Sequence, residues 1–210
     1  MTDCDTGVQK CQAYVRRHIS RKQFALEHYF ETIDVLIKDK LHRKTNNDVT
    51  YDILDTPLTS EYKMISLKEK QKQMKIGEIW QIALGNFYGF EDLGIGHETG
   101  LDIISHSRKI AIELKNRTNT DNASAKKSNL DKLAKFKKEH PDFLCIYGNV
   151  NDQSETKTWQ GSIKTIQHNG VILKQYIGIS LLNLILENNT VSVINKIKEI
   201  LLSYSVHSNK

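Results

Sequence analysis

Residues Gly100 to Lys115 read GLDIISHSRKIAIELK, and the way this stretch folds decides the architecture of the chain. With the two-residue period of a strand, Ile110 and Ile112 fall on one face while Ala111, Glu113 and Lys115 fall on the other. Upstream, Leu101-Asp102-Ile103-Ile104 reads as a second short strand, and Ser105 to Arg108 has the length of a hairpin turn. A hairpin folded there returns Asp102 to the side of Glu113. Two carboxylates and an ammonium converging on one sheet edge suit a hard, oxygen-loving cation such as Mg2+, with positions left for water and a substrate phosphate. The same three charges could instead form a solvated salt-bridge ladder. Against that stands the apolar setting of Ile103, Ile104, Ile110, Ile112 and Leu114, which implies central strands, where three charges are costly without a task.

The pattern of Asp102, ten residues, then Glu113-Leu114-Lys115 resembles the PD-(D/E)xK nucleases. Glu113 to Asn116, with the polar run behind it, is similar to type II restriction endonucleases. GEIWQ at Gly77 to Gln81, GLD at Gly100 to Asp102 and ELKNR at Glu113 to Arg117 are similar to the subfamily that cuts GGNCC-type palindromes. Leu101 stands where the motif usually has proline, a position with no chemical role. The resemblance implies Mg2+-dependent cleavage of double-stranded DNA at a short palindromic site, leaving 5′-phosphate ends. Asp102 and Glu113 would hold the metal and Lys115 would orient the attacking water. A glutamate on the helix before the hairpin often completes the metal shell in such nucleases. That role passes to Glu78, the alternative being a carboxylate satisfied by Gln81 or a neighbouring lysine. A homodimer, and a DNA methyltransferase encoded in the same system, are also implied.

Upstream of the hairpin, Ser20 and Gln23 make a capping box, and Leu26, Tyr29, Phe30, Ile33, Ile37 and Leu41 follow at helical spacing. This helix is read as a core or dimer helix with a basic entry, or else as one that reads DNA. Thr45 to Thr59 reads as a connecting loop. A second helix is announced by the box Ser66 to Glu69 and runs to Gly89, carrying Glu78. Glu91 to Gly100 is a glycine-rich connector whose His97 and Glu98 read as an ordinary polar turn.

Downstream, Asn116 to Lys127 is rich in hydrogen-bonding side chains and poor in apolar ones. Asn116, Arg117, Asn119, Asn122, Lys126 and Lys127 are the candidates for contact with bases and phosphates, although a plain helix-entry loop would also be polar. Ser128 and Asp131 open a helix that Pro141 ends. Phe143 to Tyr147 is a short buried strand, and a right-handed crossover sets it parallel beside Glu113 and Lys115. Asn169-Gly170 is the turn of a second hairpin, and two apolar helices close the chain. The expected fold is α/β, a mixed central sheet of about five strands flanked by helices on both faces. One domain covers residues 1–210, with 1–60 a helical subregion for dimerisation or DNA contact.

Thirty lysines and arginines against 25 acids give a net charge of +5, which favours an anionic partner. Cys4, Cys11 and Cys145 form no CxxC, so neither a disulfide framework nor a zinc knuckle is indicated. The reading is a cytoplasmic protein without signal peptide or membrane span. Two alternatives stand beside the restriction enzyme: a structure-selective or repair nuclease with the same site, and a non-catalytic DNA-binding module.

Overall fold

The computed structural model describes residues 25–42, 57–94, 96–118 and 121–207. Its centre is a six-stranded mixed sheet in the order β1-β2-β3-β4-β6-β5. The strands are β1 (Glu91–Asp92), β2 (Ile103–Ser105), β3 (Ile110–Arg117), β4 (Leu144–Asn151), β5 (Ser162–His168) and β6 (Val171–Ile177). β1, β2 and β3 are successively antiparallel, β4 lies parallel to both β3 and β6, and β5 returns antiparallel on β6. The α/β expectation holds, and the sheet gains one strand over the expected five. That strand is β1, two residues of the supposed glycine-rich connector, too short for any periodicity to announce. It pairs Glu91 with Ile104 and Asp92 with Ile103.

The helices are α1 (25–42), α2 (Pro57–Gly85), α3 (Ala123–Glu139), α4 (Glu155–Gln160), α5 (Ile179–Leu186) and α6 (Thr190–His207). The capping box at Ser20 and Gln23 lies outside the described residues. α2 starts nine residues before its expected box at Ser66, because Pro57 opens a helix well: its fixed φ suits the first turn and its missing N–H has no partner to lose. The reading of Pro57 to Thr59 as loop is therefore corrected. α3 likewise starts at Ala123 rather than Ser128, since the Asn122 side chain caps it by accepting from the Ala125 N–H at 2.8 Å.

Two cores sandwich the sheet. On one face Ile103, Ile110, Ile112, Leu114, Ile146 and Val150 pack beneath α1, α2, α5 and α6, through residues such as Ile33, Ile79, Leu181 and Val193. A Cβ at Gly148 would lie 3.1 Å from both Ile112 and Leu181, so glycine allows α5 to close on the strands. On the other face α3 lays Leu130, Leu133 and Phe136 over Ala111, Cys145, Tyr147 and Leu173. Burial lifts the Cys145 thiol to about 11, which leaves it an inert packing residue. Asn169 and Gly170 take positive φ in the β5–β6 turn, as the Asn-Gly signal required. No helix among the described residues is long and apolar enough to cross a membrane.

Candidate active site

The hairpin register sets Ile103 opposite Ile112, and one step further brings Asp102 opposite Glu113. Asp102 lies just before β2, yet its backbone is paired on both sides: its N–H donates to Ile112 O at 3.1 Å and its carbonyl accepts from Leu93 at 3.0 Å. Ahead of it, Gly100 has φ +64 and closes a turn on His97, a conformation that glycine adopts without strain. One carboxylate oxygen of Asp102 accepts from the Leu114 N–H at 2.6 Å, which fixes the side chain against the neighbouring strand.

Glu113 projects from the middle of β3 on the α3 face and is 2% exposed. Its Oε1 accepts from Lys115 Nζ at 2.7 Å. Its Oε2 is buried with no hydrogen-bond partner. A buried carboxylate oxygen left without a donor is costly, and proteins seldom keep one without a use. Burial first, and the charge of Asp102 second, push the Glu113 carboxyl above its ordinary range, while Lys115 opposes. Asp102 is likewise raised, by burial above all, against the Leu114 hydrogen bond and the lysines. For Lys115 burial acts downward, but the charge and hydrogen bond of Glu113, with Asp102 and Asp121, outweigh it and hold the ammonium above its usual range. Lys115 is therefore a cation at neutral pH.

An unpartnered oxygen on Glu113 and a second carboxylate across the hairpin form a donor set that fits a hard divalent cation. Glu78 does not join it. The residue faces α1, where its carboxylate meets Lys40 at 2.8 Å, and among the described residues no three acidic, histidine or cysteine side chains gather to hold a metal. The helix turn that does reach toward the hairpin carries Gln81, whose amide donates to Asp92 at 2.8 Å. Asp92, on β1, adds its negative charge to the surroundings of Asp102.

The α3 face completes the setting with residues that the sequence left unassigned. Lys132 lays its stem over Gly100, and its charge favours ionised Asp102 and Glu113. Tyr147, paired with Glu113 in the β3–β4 register, donates to Asp121 at 2.7 Å, and Asn129 donates to the same oxygen at 2.8 Å. The crossover that sets β4 beside Glu113 is the signal for Tyr147. Asp121 and Asn129 had none, because their meeting depends on how α3 docks.

The proposed DNA-contact residues divide. Asn116 and Arg117 end β3; Asn116 donates to Gln73 at 3.0 Å and accepts from Asn151 at 2.9 Å. Asn122 is the cap of α3, and Lys126 and Lys127 lie in that helix's opening turns rather than in a loop. Asn119 lies outside the described residues.

Comparison with known proteins places the chain among the restriction endonucleases, nucleases that cleave DNA at specific sites. It belongs to the Eco47II restriction endonuclease family, whose model matches residues 59–180, more than half of the chain and all of the hairpin and β4. No curated protein and no solved structure matches it.

Proposed function

We propose that the chain hydrolyses phosphodiester bonds of double-stranded DNA in a Mg2+-dependent reaction at a short palindrome of the GGNCC type, with Asp102, Glu113 and Lys115 as the working side chains. The observation that carries the reading is the buried, unpartnered Oε2 of Glu113 facing a second carboxylate, in a chain of a restriction endonuclease family. Asp102 and Glu113 would hold the ion, which when bound supplies compact positive charge to polarise the phosphate and offset the charge developing on it. Asp102 is pre-oriented by the Leu114 N–H. Glu113 keeps one oxygen on Lys115 and offers the other.

Lys115 is held in its charged form and so acts as a hydrogen-bond donor and cation. It orients the attacking water and opposes the negative charge of the scissile phosphate, rather than removing a proton in its resting state. In-line attack opposite the 3′ oxygen leaves a 5′-phosphate and a 3′-hydroxyl. A palindrome is read by a two-fold symmetric homodimer, one active site for each strand.

Calorimetric titration tests the metal assignment. Mg2+ should give a binding heat in the wild-type chain that is abolished in Asp102→Asn; a heat that persists unchanged in that variant would remove Asp102 from the metal site.

A further inference from the structure

Where β3 and β4 end, the sheet opens into a cavity of about 700 Å³ that the reaction described above does not use. Asn116 and Arg117, one and two residues past Lys115, line it, and Val150, Leu182 and Trp80 set it on the face of the sheet opposite the Glu113 and Lys115 side chains, at the strand ends. Its inner wall is apolar, from Ile76, Val150, Ile179 and Leu182. Two indoles face it, Trp80 from α2, half-buried, and Trp159 from α4, 48% exposed. Neither has its indole N–H engaged in a hydrogen bond among the described residues.

The polar lining selects the kind of guest. Asn116 and Asn151 are locked together, with Gln73 behind them, into an amide ladder of fixed orientation. Asp152 accepts from the Gln153 backbone N–H and from Thr118, and the first of these holds its carboxyl below the ordinary range, so it is ionised. Acids at Asp152 and Glu155 balance the cations at Arg117 and Lys198. Such a lining gives a phosphate no net attraction. It suits a flat, neutral heterocycle with both donors and acceptors on its edge.

We propose that this cavity receives one nucleobase of the substrate, turned out of the duplex at the ends of β3 and β4, with Trp159 as its stacking face and the Asn116–Asn151–Asp152 edge as its reader. The inference rests on the nuclease reading above. Extrusion of a base costs least where its pair is already broken, and a receiving pocket recovers that cost by stacking and edge hydrogen bonds.

The test uses duplexes of the chain's own cleaved sequence, held uncleaved in Ca2+, with each base pair in turn made a mismatch by changing one strand. Affinity is read by fluorescence anisotropy. One position should bind several-fold tighter when mismatched, and Trp159→Ala should abolish that gain while Trp159→Phe keeps part of it. Mismatches that weaken or leave unchanged the binding at every position, in a chain that cleaves the matched duplex, would overturn the proposal and leave the nuclease reading standing. A Trp159→Ala variant that retains the gain but sediments as a smaller species would overturn it too, by assigning the cavity to a second copy of the chain. Failure to cleave any duplex would remove the nuclease reading first, and this inference with it.

Discussion

The two faces of the sheet are built from alternate residues of the same strands, and they do different things. Under α1, α2, α5 and α6 the face of Ile103, Ile110, Ile112, Leu114 and Ile146 is built of apolar side chains, with Ser105 and Asn116 as polar members at its margins. Under α3 the same strands bury Glu113, Asn149 and Gln175, with Lys115 at the margin and Tyr147 bonded to Asp121. One face secures the hairpin; the other carries charges that are costly to bury and that only a rigid partner face could hold in place. A one-residue slip of register would exchange the two, so the alternation itself is the device that aims Glu113 and Lys115.

Substitutions on opposite faces should separate chemistry from stability. The largest effect is expected on the α3 face: Lys115→Ala should lower the cleavage rate by about 10²–10⁴-fold while a native gel still shows DNA bound. On the other face Ile112→Ala, fully buried, should cost about 2–5 kcal/mol in urea denaturation and leave the cleavage rate near wild type well below the melt. Loss of cutting at full stability from Ile112→Ala would break the division between faces.

The pH dependence sharpens it. Asp102 and Glu113 are both raised above the ordinary carboxylate range, chiefly by burial. Their contribution to stability is then fully present below the unfolded values, about 4, and is lost as pH rises through the higher folded values. Without metal, thermal melts should show the chain weakening over that window. Mg2+, which takes the ionised forms, should restore more stability at the upper end of it than at the lower. Equal stabilisation at both pH values would place the ion elsewhere. The smallest effect belongs to the helix packed over the Glu113 face: Asn122→Ala, which uncaps α3, should lose about 1 kcal/mol in the same denaturation assay.

Much of this was legible because local chemistry and tertiary demand agreed. Period-two alternation set the faces of β3, Asn169-Gly170 set the β5–β6 hairpin, and the crossover rule set β4 beside Glu113. The readings that failed were those in which local signals competed. Ser66 and Glu69 offered a capping box, but Pro57 opened the helix earlier; Ser128 looked like a start, but Asn122 capped first. Glu78 sat on the right helix, and only the packing of α1 decided that Lys40 would take it. Asp92, Asp121 and Lys132 come to the site through a two-residue strand, a turn and a helix docking, none of which leaves a periodic trace. The cavity beyond Arg117 is hidden for the same reason: Trp80 and Trp159 are far apart in sequence and line one cavity only because α2 packs on β3 and α4 on the neighbouring β4.

The central claim is that Glu113 and Lys115 cut DNA at a specific site, and digestion of unmethylated phage or plasmid DNA in Mg2+ tests it most directly. The expected result is discrete bands that disappear with a chelator and in Lys115→Ala, with end sequencing showing one palindrome and 5′-phosphate termini. DNA that stays intact yet shifts on a native gel, or bands that persist in Lys115→Ala, would contradict it.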